Sequence, residues 1–475
     1  MNGSSRYEKI NKKLILSVFA AGTMCLCGII VETALNIAFP TLMKEFSVST
    51  SEVQWLTTGF MLMTSFLVPI SSFLNDRFSR RSLFLTGFFL FLAGILMDIT
   101  APQFQMLLLG RLFQGLGMGI GMPLMFNIIL SKTPLSHMGL MMGIGNLNIS
   151  AAPAIGPVFG GFITEYLSWR YIFVFLLPLL AAALAAGLYA IDKEDRHSSR
   201  PFDSFSSFMI VCIFTSLLYG LNRMGETGLQ DREVLLCAAV FVVSSVLFTV
   251  RTWRRPSPII RLQILSAAPF SLFLCSVGAL QVASLAYSFL LPNYMQISEG
   301  ATAMQAGLLL FPGALAGAVL SPVGGRLLDL WGSVRPIVTG GVCMISAALL
   351  FALFGVYTGA FWFSLFYLLY MAGNGMVLSN TITNSLASLP PASSPDGNAM
   401  INTMQQVACA VGISAGSAAV AVSQKGFFIG TDAFSQATRW GTEHGFYIVL
   451  GSVAAAFLFQ YAAFYFQRKT VHKKT

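Results

Sequence analysis

Between residues 14 and 466 the sequence repeatedly runs apolar for about 20 residues, stops at a charge, a proline or a polar cluster, and begins again. Runs of that length match the roughly 30 Å hydrocarbon core of a bilayer, where every backbone N–H and C=O must be satisfied within its own segment. They fall near 14–40, 52–74, 82–100, 104–131, 138–163, 170–191, 204–222, 231–251, 269–292, 303–328, 336–355, 360–387, 399–422 and 444–466. Charged residues make up 10% of the chain, against about 25% in soluble domains. The expectation is an all-α membrane protein with 14 transmembrane helices, whose longest external loop, about 423–443, is too short for a soluble domain. "RYEKINKK" followed by an apolar run resembles a signal peptide, but the run continues far beyond the usual 7–15 residues, so it reads as a retained first helix.

Lys and Arg set the orientation. Arg6, Lys9, Lys12, Lys13, Arg77, Arg80, Arg81, Lys132, Lys193, Arg196, Arg200, Arg251, Arg254, Arg255, Arg261, Arg326, Arg335, Arg468, Lys469, Lys473 and Lys474 fall on one side, and only Lys44, Arg170, Arg223, Arg232, Lys425 and Arg439 on the other. This places both termini in the cytoplasm. It also explains the net charge of +9 by topology and contact with anionic lipid, with no nucleic-acid partner.

The seven cysteines all lie inside spans without a CxxC pair, and the four histidines are scattered, so neither a disulfide framework nor a metal site is expected. No nucleophile, base and orienting group gather inside the spans, which argues against an enzyme. No G-x-x-x-x-G-K loop occurs either, so an ion gradient is the expected energy source and no cofactor is called for. Two charges remain inside apolar runs, Glu32 and Arg111, and such residues mark functional sites by default because a carboxylate at the bilayer centre costs roughly 2.5–3.5 kcal/mol even on lenient scales.

Span 2 ends in "SSFLNDRFSRR" and span 10 in "GGRLLDLWGSVR": small residues, a leucine, an aspartate and then arginine. The recurrence divides the chain into a first six-helix bundle over 1–191, a linker with two additional helices over 192–262, and a second six-helix bundle over 263–475. Repeated halves with a site between them are the usual transporter architecture.

These segments carry a family resemblance. "SSFLNDRFSRR" resembles the loop between helices 2 and 3 of the major facilitator superfamily, matched by Leu74, Asp76, Arg77, Arg80 and Arg81, with Ser72 and Ser79 where the family favours glycine. "RLFQGLG" is similar to its helix 4 element through Arg111, Gln114, Gly115 and Gly117, and "AAPAIGPVFGG" to its antiporter element through Gly156, Pro157, Gly160 and Gly161. "ETALNIAFP" and "SWRYIFVFLLP" resemble helix 1 and the start of helix 6 of the fourteen-helix drug:proton antiporters. In helix 1 the family's aspartate falls at Val31 and the acid here is Glu32, a 100° rotation about the helix.

The resemblance implies export of hydrophobic, often cationic compounds across a bacterial cytoplasmic membrane in exchange for protons, by alternating access in a monomer. A dedicated exporter of one metabolite or lipid-like molecule is the alternative on the same fold. Glu32 is the expected proton and cation site, since carboxyls held out of water titrate nearer neutrality; a structural Glu32–Arg111 pair is the competing reading. One membrane acid implies about one proton per cycle. The resemblance sets Arg111 beside helix 1, and the alternative is a cap on exposed carbonyls. Asp76, Arg77, Arg80 and Arg81, with Asp329 and Arg335 as the second-half counterpart, would form a cytoplasmic latch or else a solvated turn. Gly156, Pro157, Gly160 and Gly161 would form a hinge or a plain packing kink. The glycines of "GLGMGIG" lie within a span, so close helix packing is preferred to a nucleotide loop. Candidate cavity residues are Asn36, Trp55, Phe60, Gln114, Asn127, Asn148, Tyr287, Asn293, Tyr294, Asn380 and Gln405, each of which can instead be glue between helices.

Overall fold

The computed structural model describes residues 12–133, 138–192, 203–228, 230–254, 262–390, 393–428 and 431–472. Fourteen long helices form among these residues. The first set is α1 (Lys12–Phe46), α2 (Thr50–Arg77), α3 (Arg80–Ile99), α4 (Phe104–Lys132), α5 (Met138–Tyr166), the single turn α6 (Tyr171–Val174) and α7 (Leu177–Ala190). α8 (Ser204–Thr227) and α9 (Arg232–Arg254) make a hairpin. The last set is α10 (Ala268–Ile297), α11 (Ala303–Trp331), α12 (Val334–Phe354), α13 (Ala360–Ala387), α14 (Ser394–Gln424) and α15 (Asp432–His472).

Twelve helices are long and apolar enough to cross a membrane among the described residues. α2 has the length but carries Thr50, Gln54, Thr57, Thr58, Thr64 and Ser65, all buried, along its inward face. Two of the expected boundaries are corrected. Span 6 is split, because the chain breaks after Val174 and restarts with Pro178 in the first turn of α7, where its missing N–H costs nothing. The external loop expected over 423–443 shrinks to the segment between Gln424 and Asp432, since "DAFSQATRWGTEH" already belongs to α15. That segment is polar enough to escape a hydropathy window, yet Phe434, Ala437 and Thr438 bury one side of it.

The turns carry recognisable caps. Ser49 and Glu52 form a capping box at α2, with the Ser49 N–H donating to Glu52 at 2.7 Å. Thr302 and Gln305 repeat it at α11, whose end is released by Gly332 at φ 76°. Asp203 caps α8 through the Ser206 N–H at 3.2 Å and also meets Arg251 of α9 at 3.3 Å.

α1 packs on α4, α5 and α7, α2 and α3 pack on α4, and together these make one bundle. α10 packs on α14 and α15, and α13 on α11 and α12, to make the other. The halves meet along α2 with α14, α5 with α11, and α1 with α10. α8 lies along the α2–α14 seam and touches both halves, while α9 presents Leu235, Leu236, Val242, Val243, Val246 and Leu247 outward, as a lipid-facing helix does. An even number of crossings leaves both termini at one face, here called the terminal face, with the other the far face.

At the far face Glu45 accepts from the Trp169 indole at 2.7 Å and from Arg170 at 3.0 Å, and Arg170 also lies over the Trp169 ring and donates to the Ala101 carbonyl at 2.9 Å. This knot explains the residues of "SWRY", as Trp169 is buried and α6 begins two residues after it, at Tyr171. Glu45→Ala is expected to lower stability by about 1 kcal/mol, read as a small fall in melting temperature, because the ion pair is one-third exposed and the indole loses its acceptor. At the terminal face Lys132 beside Asp192, at 2.6 Å, holds that carboxyl below its usual range. A depressed carboxyl contributes stability above its ordinary pKa and loses it as pH falls through the lowered one. Asp192 is half-exposed, so Asp192→Asn is expected to cost less than about 1 kcal/mol near pH 7, and thermal melts should show the difference vanishing in acid.

Candidate functional site

The buried charges gather where α1, α2, α3 and α4 meet. Arg111 of α4 is fully buried, and its environment is built from three directions. Its Nε donates to the Leu56 carbonyl of α2 at 3.2 Å, its Nη1 donates to Gln114 Oε1 at 2.5 Å, and its guanidinium lies 4.2 Å above the Phe60 ring. Gln114, one helical turn on, passes the interaction across to α3 by donating from Nε2 to Asp98 Oδ2 at 2.5 Å. Asp98 is completely buried.

Asp98 is the correction to the expected inventory of membrane charges, which held only Glu32 and Arg111. It stands one residue before the end of α3, near the edge of the apolar run 82–100. α3 and α4 approach so closely that it is enclosed: a Cβ on Gly94 would lie 2.4 Å from the Gly110 carbonyl oxygen, and a Cβ on Gly110 would lie 1.8 Å from Asp98 Oδ1. The available signal was an acid within an apolar run with a glycine immediately before the helix 4 arginine. Among the described residues, Asp98 Oδ1 and Arg111 Nη2 of this cluster have no hydrogen-bond partner.

Glu32 sits on α1 at 6% exposure. Among the described residues nothing hydrogen-bonds or ion-pairs with its carboxylate. It lies within electrostatic reach of Arg111 in its own half and of Cys409 on α14 in the other half, so it faces the seam. One turn along, Asn36 donates to Ser288 of α10 at 3.1 Å and accepts from Thr57 of α2 at 3.4 Å.

Further polar links close the seam from there to the far face. Gln54 donates to Ser414 at 2.9 Å and Thr50 to Gln424 at 2.9 Å, while Gln296 donates to the Ile37 carbonyl at 3.0 Å and the Met304 N–H to Glu165 at 2.9 Å. Phe39 and Phe289 add a ring contact at 6.3 Å. Nearer the middle, Gln406 reaches Met122 and Gln281 donates to Cys409 at 3.3 Å within the second half. These hydrogen bonds between the halves lie from the far face to about mid-depth. Thr50, Gln54, Thr57 and Thr58 were not singled out from sequence, although their spacing of four and then three or four residues marks one helix face.

The "AIGPVFGG" segment is a three-way contact on α5, which runs unbroken through Pro157. On one side a Cβ on Gly156 would meet Thr33 Oγ1 at 1.8 Å and one on Gly160 would meet Ala34 Cα at 2.6 Å, the two residues that follow Glu32. On the other side a Cβ on Gly161 would meet the Ala303 carbonyl at 2.6 Å, and Gly307 of α11 packs against the Pro157 carbonyl. The chain beside Glu32 is thus in van der Waals contact, through one helix, with the opposite half.

The remaining candidates separate. Phe60 supports Arg111, and Trp55 packs on Tyr219 of α8 at 6.1 Å between ring centroids. Tyr287 is buried in the second bundle among Phe351, Tyr370 and Phe446. Tyr294 stacks on Phe363 and donates to Glu299, Asn293 donates to the Phe289 carbonyl of its own helix, and Asn380 donates to the Gly324 carbonyl of α11. These contacts of the four lie within the second bundle, and the Tyr287 hydroxyl and Asn293 Oδ1 are buried without a hydrogen-bond partner among the described residues. Asn127 is half-buried on α4, and Gln405 is half-buried on α14 one turn from Cys409. Arg80 is buried and donates to Ser131 at 2.9 Å, tying α3 to α4, whereas Arg77 and Arg335 are exposed and Arg81 is half-buried. The side chains of Asp76, Asn148 and Asp329 lie outside the described residues.

Two bundles of six membrane helices around a central seam, with buried charges beside it, define a membrane transporter of the repeated-half kind. The chain belongs to the major facilitator superfamily, whose family model matches residues 21–413. It is 34% identical over 404 residues to the uncharacterized MFS-type transporter YhcA of Bacillus subtilis (strain 168), covering 85% of this chain and 76% of that protein. It is 32% identical over 458 residues to the lincomycin resistance protein LmrB of the same organism, covering 94% and 95%. Among solved structures, a POT family transporter in complex with 5-aminolevulinic acid superimposes with a TM-score of 0.68 at 14% identity, covering 94% of each chain, which is a likeness of fold.

Proposed function

We propose that this chain is a proton-coupled antiporter that exports hydrophobic, cationic compounds, with Glu32 as the carboxylate for which proton and cargo compete. The observation that carries the reading is the situation of Glu32: nearly buried, without a partner among the described residues, and facing the seam between the halves. A protonated Glu32 rejects a cation and an ionised one attracts it, which is sufficient for exchange if access to the seam alternates. The segments 1–191 and 263–475 are the units that rock, joined through 192–262, and Gly156, Pro157, Gly160 and Gly161 are the contact about which α5 moves on α11. Asp76, Arg77, Arg80 and Arg81, with Asp329 and Arg335, serve as the latch of the terminal face when the far face opens. The Lys and Arg bias supports a cytoplasmic terminal face in a bacterial cell membrane. The proton gradient supplies the energy with no cofactor, and the working unit is a monomer in contact with lipid.

A second reading, export of a single dedicated compound, is favoured by the relative named for resistance to one compound, lincomycin. The deciding experiment is proton release from purified, reconstituted protein on addition of ethidium or of lincomycin, comparing wild type with Glu32→Gln. Release with ethidium that the variant abolishes supports the exchange site. Equal release from both proteins removes Glu32 from the coupling step, and a response to lincomycin alone moves the dedicated exporter ahead.

A further inference from the structure

Exchange at Glu32 gives Asp98 no task, although Asp98 is a completely buried carboxylate inside the same four-helix cluster. The cluster contains three ionisable side chains, Glu32, Asp98 and Arg111. The guanidinium has five N–H donors in a rigid fork. One goes to the Leu56 carbonyl and one to Gln114, whose amide in turn donates to Asp98, while the guanidinium face rests on Phe60. Gly94 and Gly110 let α3 and α4 approach so closely that a Cβ on Gly110 would collide with the Asp98 carboxylate.

We propose that Asp98 is a positioning residue, the standing counter-ion that holds Arg111 on the α3–α4 side through Gln114 and so leaves Glu32 free to trade its proton for cargo. The inference rests on the reading of Glu32 as the exchange site. With Arg111 and Asp98 both ionised the pair is neutral, and Glu32 carries the only charge that changes during exchange. Remove the Asp98 charge and the nearest opposite charge for Arg111 is Glu32 itself, an ion pair that competes with both proton and cargo. Among the described residues no other charge is placed to substitute. On the elements around Asp98, α1 carries Glu32 and, in its last turns, Lys44 and Glu45, α2 has Glu52 capping its own far-face end, α3 has no charge between Arg81 and Asp98, α4 has Arg111, and Arg170 before α6 is bound to Glu45 and Ala101.

The test follows the carboxylic C=O infrared band of Glu32, identified by its loss in Glu32→Gln, as pH is varied over the reconstituted protein, together with ethidium binding. A wild-type band that no variant at Glu32 removes defeats the earlier reading and is recognised before Asp98 is touched. Given the band, Asp98→Asn is expected to move its midpoint toward acid by about one pH unit or more and to weaken ethidium binding by about tenfold or more. Adding Arg111→Gln to Asp98→Asn should remove the acid shift, since Asp98 acts through Arg111. Gln114→Leu, which breaks the relay without changing charge, should shift the midpoint in the same direction, and it serves alone if Asp98→Asn does not fold. An unmoved midpoint in Asp98→Asn or Gln114→Leu overturns the proposal. So does a lost second carboxyl band on ethidium binding in Asp98→Asn, which would make Asp98 an exchanging acid itself.

Discussion

Arg111→Met should abolish transport and destabilise the protein by about 3–5 kcal/mol, the usual cost of removing one partner from a buried charge pair. Methionine fills much of the volume and packs on Phe60, so loss of bulk contributes little. What remains is Asp98, fully buried, with the Gln114 amide as its neighbour and no positive charge. The double variant Arg111→Met with Asp98→Asn should recover most of the lost stability, because it leaves no net charge enclosed between α3 and α4. Transport should stay absent in the double variant, since the group that organises the cluster is gone. Thermal melts in detergent and ethidium-driven proton release, run on the two single variants and the double, form a double-mutant cycle that separates the effects. A single variant as stable as wild type would mean that Arg111 is not paired with an ionised Asp98.

Gly307→Val should leave the protein folded and cut transport by more than about tenfold. A Cβ at position 307 would lie 2.3 Å from the Pro157 carbonyl oxygen and 2.8 Å from its carbon, so α5 and α11 must separate. These helices belong to different halves, and the change wedges the seam without entering either bundle. A cysteine placed at Gln424 or Ser414, on the opposite flank of the seam, should then react faster with a polar thiol reagent added from the far side. Gly160→Val is the contrast: its Cβ meets Ala34 inside the first bundle, so it should lower folded yield instead. Unchanged reactivity in Gly307→Val would show that the halves do not part along this line.

The helices were legible because span length answers to one constraint, the thickness of a bilayer, and that constraint acts on each segment separately. The errors came where the constraint lapses. The first three turns of α15 stand outside the apolar window, and α6 is too short to carry any periodicity. For the site, Arg111, Gln114 and Glu32 were visible as polar residues in apolar runs. Asp98 was not, because an acid beside a span end is ordinary in sequence and becomes a buried charge only when Gly94 and Gly110 let α4 close over it. Tyr287 and Asn380 were equally visible, yet their partners Tyr370 and Gly324 lie on helices whose facing sides no single-helix pattern reveals.

Residue order by itself determined that this chain is a membrane protein of fourteen helices in two related halves with a charge on the first helix, since hydropathy, charge bias and motif spacing are properties of one strand of text. Tertiary structure alone decided where the Arg111 guanidinium donates, which polar face of α2 meets α14, and that the residues after Glu32 touch the opposite half through α5. Those are contacts between segments tens to hundreds of residues apart, set by how closely small residues let helix backbones approach, and they exist only once the bundle has closed.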